Sequence, residues 1–187
     1  MNALFEAGLE VQRFFEERGW RFCFIGGLAV VRWGEPRATQ DVDVSLLTGF
    51  GQEEAYVQAV LSRLRPRRKD AASFALSSRV LLAETPTGIP VDISLAGFPF
   101  EAGIVDRASP FDFSADCRLI TCSAEDLVVM KAFAGRQTDW ADITTILRRQ
   151  RKALDRTFVA DQLEGLCDLR EDLAPLRHLK QLMEKEK

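Results

Sequence analysis

The chain has 187 residues, of which 47% are hydrophobic and 28% charged. A chain of that length buries roughly 70% of its unfolded surface, so one domain, or one domain with a small appendage, is expected without support from disulfides or metals. The formal net charge is −3, the pI is near 5.4 and the mean hydropathy is −0.08. These values exclude membrane-spanning, collagenous and disordered classes, and they carry no overall basic signal for nucleic acid.

The start of the chain (Met1-Asn2-Ala3-Leu4-Phe5-Glu6) lacks the basic region and apolar core of a signal peptide, so a cytoplasmic protein is expected. Cys23, Cys117, Cys122 and Cys167 contain no C-x-x-C pair and read as reduced, buried thiols. His178 is the single histidine, which excludes histidine-rich metal sites. Chemistry here falls to carboxylates, lysines and arginines.

In chain order, residues 3–18 carry a helical stripe of Leu4, Phe5, Leu9, Val11, Phe14 and Phe15, and Gly19 stops it. Arg21–Ile25 reads as a buried strand running into a tight turn at Gly26-Gly27, followed by a short helix over Leu28–Trp33. Asp41–Leu47 alternates as a second strand, and Glu53–Leu64 is an amphipathic helix closed by Pro66. Arg79–Glu84 and Pro90–Leu95 form a hairpin pattern with its turn at Gly88. Cys117–Thr121 is a further strand. Ser123 caps a helix that runs to about Ala134, and after a break another helix spans about Asp139–Arg149. From Thr157 onward the chain reads helical, broken near Pro175. The class is α/β or α+β, with a mixed sheet and a helical C-terminal part. Two basic runs, Arg63–Lys69 and Arg148–Lys152, read either as solvated helix ends or as phosphate-contacting surface.

The strand at 41–47 carries the most chemistry. Val42 and Val44 point to one face; Asp41, Asp43 and Ser45 share the other. Same-face neighbours lie roughly 6.6–6.8 Å apart along a strand, a spacing from which two carboxylates can converge on a divalent cation. Val91-Asp92-Ile93 repeats the design, with Asp92 opposite the apolar face. Neighbouring strands would gather three carboxylates, an oxygen donor set suited to Mg²⁺ or Mn²⁺ and not to zinc. The Gly26-Gly27 turn would let backbone N–H groups approach a phosphate. Lys131, in an otherwise apolar helix, either meets phosphate or snorkels at the helix edge.

Together, Ile25-Gly26-Gly27-Leu28-Ala29, Arg37-x-Thr39-x-Asp41-Val42-Asp43, Val91-Asp92-Ile93 and Lys131-Ala-x-Ala134-x-Arg136-x-x-Asp139-x-x-Asp142-Ile143 resemble the DNA polymerase β-like nucleotidyltransferase superfamily. Within it, the chain looks most like the minimal nucleotidyltransferases and the abortive-infection toxin branch. Where most active members place serine after the first glycine, this chain has Gly27.

The resemblance implies a nucleotidyltransferase core at 1–122 and a helical region at 123–187 packed on it. It implies that Gly26 and Gly27 hold the triphosphate of an NTP. Asp41, Asp43 and Asp92 would ligate Mg²⁺ or Mn²⁺, with Asp92 helping to deprotonate the acceptor hydroxyl. Arg37 and Thr39 would steady the loop before the metal strand, and Lys131 would neutralise phosphate. Arg136, Asp139 and Asp142 would either contact nucleotide or brace the helix pair. The acceptor would be tRNA, a protein or a small molecule, and in the toxin branch a cognate antitoxin would be a partner. The alternative is a catalytically silent module of the same fold that binds nucleotide or a protein partner.

Overall fold

The computed structural model describes residues 2–186. Contacts divide the chain into two compact units, one made of the chain up to Leu28 with Ala38–Cys122, the other of Ala29–Arg37 with the chain from Ser123 on.

In the first unit, helix α1 (Ala3–Glu16) starts at Asn2, whose side chain accepts the Leu4 N–H at 3.1 Å. Its buried stripe is Leu4, Ala7, Gly8, Val11, Phe14 and Phe15. Strand β1 (Phe22–Phe24) is buried throughout and leads into helix α2 (Gly26–Trp33), whose first turn belongs to this unit. Strand β2 (Val42–Leu47) and helix α3 (Glu53–Leu61) follow. Next come a two-residue edge strand β3 (Arg65–Pro66) and helix α4 (Ala71–Ser78). Arg79, left-handed at φ 57°, ends α4, and its guanidinium donates to the carbonyls of Gly49 at 2.9 Å and Leu95 at 2.5 Å.

Strands β4 (Val80–Glu84) and β5 (Pro90–Ala96) form the expected hairpin, with Gly88 at φ 83° in the turn and the Thr85 hydroxyl accepting the Ile89 N–H at 3.1 Å. Helix α5 (Pro99–Asp106) and strands β6 (Ser109–Ser114) and β7 (Cys117–Thr121) complete the unit.

Among the described residues, seven strands form one mixed sheet in the order β3-β4-β5-β2-β1-β7-β6. The pairs β2–β5 and β1–β7 are parallel; the others are antiparallel. Val42, Val44 and Leu46 stand beside Val91, Ile93 and Leu95 in register. This apolar face joins the core formed with Phe14 and Phe15 of α1, Val57 and Val60 of α3, and Ala71 and Ala75 of α4. Asp43 and Ser45 of β2 and Asp92 and Ser94 of β5 alternate with the apolar residues of that face.

The second unit is helical. Ser123 Oγ accepts the Asp126 N–H at 3.0 Å and opens helix α6 (Ala124–Ala134), which Gly135 closes at φ 67°. Helix α7 (Gln137–Gln150) follows, then a single 3₁₀ turn, helix α8 (Arg156–Leu169) and helix α9 (Ala174–Lys185). The break expected near Pro175 lies just before it, and Pro175 sits in the first turn of α9, where its missing N–H costs nothing. All four cysteines are buried, and burial pushes the Cys117 and Cys167 thiols up, away from the reactive thiolate. Among the described residues, no helix is long and apolar enough to cross a membrane.

Candidate active site

Parallel pairing of β2 and β5 sets Asp43 directly opposite Asp92. Asp41 precedes β2 by one residue. All three are half-buried, and each offers a carboxylate oxygen within 4.8 Å of the others. Like charges at that separation repel, and a cation among them would relieve the repulsion. With oxygen as its only donor type, the arrangement matches a hard divalent ion such as Mg²⁺ or Mn²⁺.

Two glycines let the chain pass beside these acids. At Gly26 φ is +56°, and a Cβ there would stand 1.9 Å from Asp43 Oδ2. At Gly27 a Cβ would stand 2.2 Å from the Thr39 hydroxyl and 2.7 Å from Thr39 Cβ. Thr39 therefore occupies the space in which a serine at position 27 would begin, which gives the departure from the superfamily's serine a steric cause. The Thr39 hydroxyl also donates to Asp41 Oδ1 at 3.0 Å, and the Gly27 N–H approaches Asp43 Oδ2 at 3.4 Å. Thr39 thus holds the first carboxylate, and the start of α2 contacts the second.

Arg67 was not singled out from the sequence. Its guanidinium donates to Asp92 Oδ1 at 2.6 Å, with both side chains 30% exposed. The only signal for it was the basic run Arg63–Lys69, in which nothing distinguished one arginine from the next.

The remaining sequence candidates lie in the second unit and form their own network. Lys131 Nζ sits 3.0 Å from Asp139 Oδ1 and 2.8 Å from Asp142 Oδ2. Arg37 grips Asp142 with two parallel bonds of 2.8 and 2.9 Å. Burial pushes the Asp142 carboxyl up, but hydrogen bonds from Arg37 and Lys131 outweigh it and hold the group below its ordinary value. Asp139 accepts the Arg136 backbone N–H at 3.3 Å, while the Arg136 guanidinium is exposed and 3.9 Å from it. Lys131 does not snorkel: its side chain is 9% exposed and its ammonium is shared by two carboxylates.

A mixed sheet with carboxylates on its central parallel pair, beside a glycine turn that opens a helix, is the fold of a nucleotidyltransferase. Residues 2–156 match the family described as nucleotidyltransferase of unknown function (DUF6036), and the chain belongs to that family. It is an enzyme of the nucleotidyltransferase class. No curated protein matches the sequence.

Solved structures share the fold at low identity. The crystal structure of ANT(2'')-Ia in complex with adenylyl-2''-tobramycin is 15% identical, with TM-score 0.57, covering 88% of this chain and 99% of that one. An antigenic nucleotidyltransferase-like protein from Paracoccidioides brasiliensis is 14% identical, with TM-score 0.52, covering 93% and 92%. The lincosamide antibiotic adenylyltransferase LnuA, bound to lincomycin, is 13% identical, with TM-score 0.50, covering 75% and 94%.

Proposed function

We propose that the protein moves a nucleoside monophosphate from an NTP to a hydroxyl of a small-molecule acceptor, with Mg²⁺ or Mn²⁺ held by Asp41, Asp43 and Asp92. The observation that carries this reading is the convergence of the three carboxylates within 4.8 Å, with Asp43 and Asp92 opposed on parallel strands. A small acceptor is favoured because two proteins of similar fold are named for, or captured with, such molecules, tobramycin and lincomycin. The net charge of −3 adds weight against a large polyanion such as tRNA.

In this reading the first unit is the catalytic core. Asp41 and Asp43 keep their oxygens turned to one point, Asp41 through Thr39 and Asp43 through the start of α2. The Gly26-Gly27 turn brings backbone N–H groups to the triphosphate. Asp92 takes the proton of the acceptor hydroxyl as its oxygen bonds to the α-phosphorus, and the bond from that phosphorus to the bridging oxygen breaks, releasing pyrophosphate. A divalent cation, when bound, supplies positive charge to the transferred phosphoryl group and to the leaving oxygens. NTP substrates and reduced thiols both fit a cytoplasmic location.

The test is transfer of label from each α-³²P NTP, with Mg²⁺, onto aminoglycosides and lincosamides, total tRNA and lysate protein, alongside an Asp41→Ala/Asp43→Ala variant. Label on a small molecule with the wild type alone supports the proposal. Label on tRNA or protein replaces the acceptor class and brings the toxin reading, with its antitoxin, forward. Label that the double variant transfers equally well overturns the carboxylate site.

A further inference from the structure

The basic run Arg63–Lys69 does not end as a helix terminus. Its middle becomes edge strand β3, and the Arg67 N–H donates to the Leu82 carbonyl at 3.1 Å, extending the β3–β4 register one residue beyond Pro66 opposite Ala83. Leu82 pairs with Asp92, and Asp92 with Asp43. One transverse row of the sheet therefore reads Arg67, Leu82, Asp92, Asp43, and paired residues share a face. Two strand spacings, about 10 Å, separate the Arg67 backbone from that of Asp92. The arginine side chain crosses that distance over Leu82 to meet Asp92 Oδ1 at 2.6 Å. Its neighbour Arg68 turns instead to Asp70, with two bonds of 2.9 Å.

A guanidinium stays charged at any working pH. A divalent cation among the three carboxylates would take electron density from Asp92 and repel Arg67, so the two cations compete for one carboxylate. Once displaced, the guanidinium is a cation without its anion, anchored on a sheet edge beside the reacting groups. Its planar fork matches phosphate oxygens in pairs.

Resting on the proposed reading of the carboxylates as the cation site, we propose that Arg67 exchanges partners. It holds Asp92 in the cation-free protein and turns to a phosphate group of the substrate once a divalent cation occupies the site. That phosphate belongs either to the NTP or to a phosphorylated acceptor. Arg67 is thus a substrate-reading residue that also sets the affinity for the metal.

Two titrations test this on the full chain. Mn²⁺ binding followed by electron paramagnetic resonance compares wild type, Arg67→Gln, Arg68→Gln and Asp43→Asn, with thermal melts to verify folding. Arg67→Gln is expected to bind Mn²⁺ about tenfold more tightly, the equivalent of one charge-assisted hydrogen bond. Arg68→Gln, which removes the same charge from the same run, is expected to stay within about twofold of wild type.

Calorimetry with saturating Mg²⁺ then measures α,β-methylene-ATP, and after it glucose 6-phosphate against glucose. Arg67→Gln is expected to weaken a phosphate-bearing ligand about tenfold and to leave glucose unaffected. Weakening of the ATP analogue assigns Arg67 to the nucleotide; weakening of glucose 6-phosphate alone assigns it to the acceptor. Equal Mn²⁺ affinity in wild type and Arg67→Gln, an equal gain in Arg68→Gln, or undiminished phosphate binding overturns the proposal. Wild type that binds no Mn²⁺, or binds it as well after Asp43→Asn, overturns the cation site itself and Arg67's role with it.

Discussion

Asp43 and Asp142 are both aspartates on regular elements with a second carboxylate nearby, yet their surroundings are opposite in kind. Asp142, 6% exposed, is held by Lys131 at 2.8 Å and by a bidentate Arg37, and Lys131 also pairs with Asp139. Asp43 is half-buried on a sheet face, opposite Asp92 in a parallel pair and within reach of Asp41. Acids that fold together with their own cations brace the structure. Acids aligned by backbone register, with an oxygen of each within 4.8 Å of the others, keep a mutual repulsion that a cation would relieve, which is why the proposed function makes them the ligand set. The residue types in the two places are nearly the same; deep burial between two cations marks the brace, whereas the site acids stay half-buried and meet the Arg67 guanidinium at Asp92.

The largest effect that would break this contrast is in the brace. Asp142→Ala leaves a buried ammonium short of one partner and a guanidinium without its fork, and about 3–5 kcal/mol of stability should be lost in urea unfolding. A loss below about 1 kcal/mol would mean that the network is not structural. In the site the same kind of change should act the other way round. Asp43→Asn should lower transfer by about two to three orders of magnitude, the scale for losing one electrostatic contributor. In EDTA its melting temperature should equal or exceed that of the wild type, because one of three repelling charges is gone.

Gly26→Ala sharpens the contrast at intermediate size. The new methyl meets Asp43 Oδ2 at 1.9 Å on a backbone with φ +56°, so about 1–3 kcal/mol of stability is expected to go, together with Mn²⁺ binding. The smallest effect is one of pH. The Asp142 carboxyl is held below its ordinary value of 3.8, so its contribution is complete above that pH and is lost as pH falls through the lower folded value. The stability gap between wild type and Asp142→Asn, measured by urea midpoints, should be constant from neutral pH to about 4 and narrow below it. A gap that widens in acid would mean that Asp142 stabilises the protein in its protonated form.

The sequence made the core of the fold readable where pattern and punctuation agreed. Alternation marked β2 and β5, Gly88 marked the hairpin turn between β4 and β5, and Ser123 marked the start of α6. Helices α4 and α5 have only eight residues each and lack a polar–apolar contrast, while β6 carries a proline and an aspartate that mask its Phe111 and Phe113 alternation. Strand β3 was unreadable for a related reason: Pro66 reads as a stop, and an edge strand is the one place in a sheet where proline is accommodated. That gap hid Arg67 as well. Its meeting with Asp92 depends on the order β3-β4-β5, which no local pattern states. The three aspartates were legible because their alternation with valine and isoleucine is local; the partnership of Arg37 with Asp142, across many intervening residues, came only from the fold.

The parallel pairing of β2 with β5 has a kinetic consequence. Parallel strands cannot be joined by a tight turn, and the segment between Asp43 and Asp92 contains α3, β3, α4 and β4. The carboxylates become neighbours only after that long loop has closed, a step whose entropic cost falls in the rate-limiting part of folding. Because that pairing is made in the rate-limiting step, a divalent ion held by the three carboxylates, as proposed above, would stabilise the transition state along with the finished molecule, so refolding should be faster in Mn²⁺ than in EDTA.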